Sequence, residues 1–183
     1  MSEEIATIKK YINAVPQRNT AVHGDFHARN IMVMDEKLIL IDMDEFSLGH
    51  PVWDIGNLHC IYQDMAHADS EMGEDLFGIA GKIPYADFYI KIIGVTFDEA
   101  DEIWEKFFNG YFAEYSQEDK NKILELVEFY GYFKYITFLL DLCNATKDNP
   151  EKLENHVKHI RNFLAKLEKK NIGELIKHLD LWK

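Results

Sequence analysis

The stretch that decides the fold reads His23-Gly24-Asp25-Phe26-His27-Ala28-Arg29-Asn30, then Ile31-Met32-Val33-Met34, Asp35-Glu36-Lys37 and Leu38-Ile39-Leu40-Ile41. Asp42-Met43-Asp44-Glu45 follows at once, and Gly49-His50-Pro51-Val52-Trp53-Asp54 a little later. The two apolar runs flank Asp35-Glu36-Lys37 as two strands flank a tight turn. A hairpin of this length returns its second end beside its first, so Asn30 and Asp42 are expected to meet. An amide oxygen and a carboxylate converging on one point are hard oxygen donors, suited to Mg²⁺ rather than to Zn²⁺ held by nitrogen or sulfur. Asp25, in the loop ahead of the hairpin, is left to act as a base.

Outward from this stretch the pattern is helical. Ile5, Ile8, Tyr11, Ile12 and Val15 recur at helical spacing until Pro16 stops them. A helix restarts over 53–67, and 71–84, holding Gly73, Gly78 and Gly81, reads as a broken connection. Thr96-Phe97-Asp98-Glu99 fits a capping box that opens a helix running to Tyr115. Residues 118–146, 151–169 and 173–181 supply three more, Pro150 sitting where a helix can begin. Strand is expected only between 20 and 43. The fold class is α+β, mostly helical, and residues 1–183 form a single domain without internal repeat or long linker.

Composition narrows the function classes. Hydrophobic residues make up 47% of the 183 and aromatic ones 13%, too apolar for a disordered tail. Twenty Lys and Arg against 32 Asp and Glu leave a net charge of -12, a field that repels nucleic-acid backbones. Two cysteines, Cys60 and Cys143, make no disulfide scaffold. The acidic start Met1-Ser2-Glu3-Glu4 is unlike a signal peptide, and no apolar run reaches the roughly 18 residues of a membrane span. The expectation is a cytoplasmic protein with no nucleic-acid or membrane partner.

His23-Gly24-Asp25, Asn30, Ile41-Asp42, Gly49-His50-Pro51 and Asp54-Ile55, in that order and spacing, resemble the catalytic segment of the aminoglycoside phosphotransferase and choline kinase family. The resemblance implies a fold similar to the large C-terminal lobe of protein kinases, with a small catalytic β-hairpin. It implies an ATP- and Mg²⁺-dependent phosphotransferase acting on a small-molecule hydroxyl, with Asp25 as catalytic base and Asn30 and Asp42 as metal ligands that also hold the nucleotide. By the same resemblance His23 is a hydrogen-bonding residue of the catalytic loop and Asp54 braces that loop. Asp44 falls where relatives often carry a second acidic residue, a metal or substrate contact. A net charge of -12 suits an amine-bearing acceptor, aminoglycoside- or choline-like.

Families of this kind place a small β-rich lobe, with a phosphate-covering loop and a Lys, ahead of the catalytic loop. Only 22 residues precede His23, they read as helix, and no Gly-rich loop appears. The expectation is therefore a large lobe without its small lobe, incomplete as a kinase alone. Its exposed apolar surface would favour a homodimer or a partner lobe. Two other functions stay open: a non-catalytic kinase-like binding or regulatory module, and a metal-dependent hydrolase built on His23, Asp25 and His27 with His59 or His67. His50, His156, His159 and His178 are assigned to solvated loops or helix faces, without a role. The aromatic series 104–115 and 129–138 is assigned to core packing, with a minority of rings on the side facing the catalytic loop left to line a pocket for a cationic substrate through cation–π contact.

Overall fold

The computed structural model describes residues 2–15, 18, 20–68 and 82–182. Helix α1 (Ser2–Ile12) precedes β1 (Thr20–Val22); a single 3₁₀ turn (Ala28–Asn30) leads into β2 (Ile31–Met34) and β3 (Lys37–Leu40). Strand β4 (Ser47–Gly49) leads into α2 (Val52–His59), which widens into a π-helical turn (Cys60–Asp64). Then come α3 (Tyr85–Ile93), α4 (Phe97–Tyr111), α5 (Gln117–Ala145), α6 (Pro150–Glu168), α7 (Ile172–Lys177) and a 3₁₀ turn (His178–Leu181). No described helix is long and apolar enough to cross a membrane.

The hairpin forms as its sequence dictates, with Ile31 paired to Leu40 and Met34 to Lys37. The turn is two residues, not three: Asp35 and Glu36 both take positive φ, 49° and 62°, the twist that matches paired strands, and Lys37 belongs to β3. A second antiparallel pair joins β1 to β4, Val22 opposite Ser47 and Thr20 opposite Gly49. Strand thus extends beyond residue 43, because three residues with a glycine give too short a pattern to register in sequence. Both sheets have two strands, and the hairpin leaves Val33 and Leu38 exposed on its surface.

Helix α5 is the axis of the molecule. Ile123, Leu126, Val127, Phe129, Tyr130, Phe133, Tyr135, Ile136 and Leu139 are all buried, so the helix is apolar around most of its circumference and must be covered on several sides. Each large side chain so buried contributes about 1.5–3 kcal/mol. Helices α2 and α6 provide most of the cover. At the α2–α5 crossing the backbones themselves meet: a Cβ on Gly56 would lie 3.1 Å from the Gly131 nitrogen and 3.1 Å from the Tyr130 carbonyl carbon.

The helix starts follow local chemistry. Thr96 Oγ1 accepts from Glu99 N at 3.3 Å while Glu99 Oε2 accepts from Thr96 N at 2.7 Å, the reciprocal capping box at α4. Ser116 caps α5 through Asp119 N, and Asn149 caps α6 through Lys152 N, with Pro150 in the first turn. Helix α4 ends at Tyr111, short of the Tyr115 that periodicity suggests, and α3 occupies a region to which the sequence pattern assigns no element. Tyr85 and Tyr89, one turn apart behind Pro84, are the buried face that holds α3 down, at 3% and 1% exposure. The broken connection expected over 71–84 lies, up to residue 81, outside the described residues.

Three histidines expected in solvent are buried: His50, His156 and His159. For His50 the reason is tertiary. Its ring meets Trp182 edge-on at 5.1 Å, and Arg18 donates to the carbonyl oxygens of Trp182 and Leu179 at 3.1 Å each, tying the C-terminal turn over it. Val52 N donates to His50 Nδ1 at 3.1 Å, which fixes the proton on Nε2. Burial, then the Arg18 charge, lowers the His50 pKa to about 4, the Leu179 carbonyl offsetting this only in part. Between pH 6.5 and 4 the unfolded chain therefore binds a proton that the folded chain refuses, so stability falls as pH falls through that window. Urea melts should lose up to about 3 kcal/mol from this group on going from pH 7 to pH 4, and His50→Gln should flatten the slope. An unchanged slope in the variant would assign the loss to other groups.

Candidate active site

The loop 23–30 is held from below by one carboxylate. Asp54, in the first turn of α2, accepts from His23 N through Oδ2 at 2.8 Å and from Gly24 N through Oδ1 at 2.9 Å. Two backbone donors that would otherwise be left unpaired are satisfied by a charged acceptor, the strong form of the bond. Gly24 has φ +86°, and a Cβ there would lie 2.6 Å from both Cβ and the carbonyl oxygen of Glu45, so the loop and the turn at 43–46 close on each other only through glycine. The His23 ring is buried, with Nε2 2.9 Å from the Ile41 carbonyl. That carbonyl is an acceptor only, so Nε2 carries the proton and the loop is pinned to the end of β3.

Asp25 projects from this loop into a ring of nitrogen donors. Asn57 Nδ2 lies 3.4 Å from Oδ1 and Asn30 Nδ2 3.5 Å from Oδ2, while His27 Nε2 is 3.3 Å from Oδ2 and Lys134 Nζ 3.7 Å from Oδ1. The two amides have stronger bonds elsewhere in the loop, Asn30 to the Asp25 carbonyl at 2.9 Å and Asn57 to the Phe26 carbonyl at 3.1 Å. They therefore fix the backbone firmly and touch the carboxylate lightly, leaving its oxygens able to take a further proton donor. Lys134 also donates to the Gly24 carbonyl at 3.2 Å and lies 3.5 Å from Glu45 Oε2, stitching α5 to both loops.

Asn30 and Asp42 are brought to the same end of the hairpin, where Ile41 N donates to the Asn30 carbonyl at 2.9 Å. Asn30 is buried and its amide nitrogen is committed to Asp25, which leaves the amide oxygen for a cation. Asp42 is exposed and sits at φ +59°, a left-handed conformation that costs a non-glycine residue about 1–3 kcal/mol and is kept where a side chain must be aimed. One amide oxygen and one carboxylate fit Mg²⁺, which binds through one or two protein oxygens and keeps the rest of its shell for water and phosphate. Asp44 is exposed in the same turn, where Phe46 N donates to the Met43 carbonyl at 3.1 Å.

No three His, Cys, Asp or Glu side chains gather into a metal cage among the described residues, His23, Asp25 and His27 with His59 or His67 included. His23 is engaged with Ile41 and His27 with Asp25; His59 pairs with Asp64 at 3.1 Å and His67 with Asp101 at 2.7 Å, each on its own.

Three contributors escape a reading of the sequence. Asn57 lies three residues past Asp54, hidden in an apolar helix. Tyr62 is brought into reach by the π-helical turn and accepts from Ala28 N at 3.1 Å; burial pushes its phenol up, so it stays neutral. Lys134 lies 109 positions beyond Asp25 in a run of aromatics. Both cysteines are free and buried, and burial raises both thiols, Cys60 well above its ordinary value, so neither is a nucleophile.

Two cavities open on either side of Lys134. One, of about 650 Å³, is lined by Gly24, Glu45, Ser47, Trp53, Tyr130 and Asp141 among others; a second, of about 380 Å³, lies directly against Asp25. Residues 2–82 match the model of the phosphotransferase enzyme family. The match takes in the whole loop, the hairpin and α2, and ends before Lys134. No curated protein and no solved structure matches the chain.

Proposed function

We propose, with the phosphotransferase match as premise, that this chain carries the catalytic loop and metal-binding side of an ATP- and Mg²⁺-dependent small-molecule kinase. The observation that supports the reading most is the support around Asp25: a carboxylate on a loop fixed by Asp54, His23, Asn30 and Asn57, with an open cavity at its face. In this reading Asp25 orients the acceptor hydroxyl and takes its proton, the one task a carboxylate performs on the acceptor in phosphoryl transfer. Asn30 and Asp42 would hold Mg²⁺, whose part when bound is to neutralise charge on the phosphates. Lys134 holds the loop carbonyl of Gly24 and adds positive charge beside the reacting oxygen. His23 and Asp54 act on the loop and not on the acceptor.

The donor side is testable without knowing the acceptor. Calorimetric titration of ATP into the chain should show binding that requires Mg²⁺ and is lost in Asp42→Ala. Mg²⁺-dependent binding that persists in Asp42→Ala would remove Asp42 from the metal site, and no binding by the unaltered chain would leave the loop without its donor. The net charge of -12 favours an amine-bearing acceptor, aminoglycoside- or choline-like, by long-range attraction alone.

A further inference from the structure

The cavity against Asp25 has a chemistry of its own, and its reading as the acceptor site rests on the phosphotransferase proposal above. Its volume of about 380 Å³ lies within the range of small-molecule sites. Cys60, Ile61, Met65, Ile92, Ile93 and Phe138 give it hydrocarbon and sulfur walls from three elements. Among the described residues Asp25 is its only carboxylate, against the two cations Arg29 and Lys134. Lys134 is already set toward Asp25, and Arg29 reaches across to donate to the carbonyl of Ile92.

Such a wall is the wrong partner for a polyamine. Beyond one ammonium paired with Asp25, each further one would leave water with no second carboxylate among the described lining residues and would meet the charges of Arg29 and Lys134 besides. Tyr135 itself is 2% exposed, its hydroxyl shielded from solvent behind this wall.

We propose that this cavity binds an uncharged, hydrophobic alcohol, its hydrocarbon against Ile61, Met65, Ile93 and Phe138 and its oxygen toward Asp25. The long-range field of the acidic surface and the short-range chemistry of the pocket then point to different acceptors, and the pocket decides, because desolvation acts only at contact.

The test uses 1-hexanol as the probe, titrated into the full chain without nucleotide or metal and followed by NMR shifts of the cavity residues. Saturable shifts at Ile61, Ile93 and Phe138 are expected. Ile92→Glu and Phe138→Glu, both at partly exposed positions, should each weaken binding about tenfold or more, with unchanged thermal melts as the check on folding. Shifts that fail to saturate, or saturable binding that ignores both Glu variants, would overturn the proposal. So would an aminoglycoside or choline binding at these residues in place of hexanol. Hexanol binding by a chain that fails the ATP titration would uphold the apolar cavity and sink the kinase reading, so the two failures are separable.

Discussion

Asp25→Asn should lower phosphoryl transfer by roughly 10²–10⁴-fold, the range for loss of a positioned general base, while leaving Mg²⁺-dependent ATP binding unchanged. The substitution keeps the shape of the side chain and removes its capacity to take a proton. The surrounding donors show why the effect belongs to chemistry and not to folding: Asn30 and Asn57 make their shorter bonds to the carbonyls of Asp25 and Phe26, which the substitution leaves in place. Transfer to water, read as phosphate release from ATP, avoids any choice of acceptor. Equal release by Asp25→Asn and the unaltered chain would remove Asp25 as the base. Loss of ATP binding along with release would mean that the carboxylate serves the donor and not the acceptor.

The second large effect is on stability. Asp54→Ala removes the acceptor of two backbone bonds at 2.8 and 2.9 Å and leaves the amides of His23 and Gly24 unpaired beside a buried ring. Charge-assisted bonds of this kind contribute about 1.5–3 kcal/mol each, and partial solvation of the freed amides recovers some of it. A net loss of about 3 kcal/mol is expected, and a fall in Tm of roughly 6–12 °C for a domain of this size. Asp54→Asn should lose less, since one amide oxygen can still accept one of the two bonds. A melt of Asp54→Ala within a degree of the unaltered protein would show that the loop is held by Asn57 and Lys134 instead.

What the sequence makes legible here is what neighbouring residues dictate. The hairpin is visible because four apolar residues on each side of Asp35-Glu36-Lys37 leave few alternatives, and the start of α4 because Thr96 and Glu99 are one turn apart. The loop at His23 and the strand end at Asp42 are visible together because the hairpin between them fixes their separation. The unread parts depend on distant partners. His50 is buried by Arg18 and by Trp182, which lies 132 positions further on, and nothing local to Gly49-His50-Pro51 marks that. Strand β4 exists because β1 lies 27 residues earlier, and Lys134 joins the site only because α5 crosses α2. A lysine in an aromatic helix reads as a solvated break in the apolar surface until the crossing is known. The apolar wall of the cavity follows the same rule: Ile61, Ile92 and Phe138 share no local pattern, and composition, with its net charge of -12, suggests the opposite acceptor.

The contact between Gly56 and Gly131 bears on how the site can move. Where side chains separate two helices, the helices can slide by repacking rotamers; where backbone rests on backbone, no soft layer exists to shear. Helix α2, carrying Asp54 and Asn57, and helix α5, carrying Lys134, are locked at that point into one stiff plate. If the cavity beside Asp25 opens, the motion is expected away from this crossing, and the donors around Asp25 on α2 and α5 keep their spacing through the opening, as the fixed jaw of a vice does.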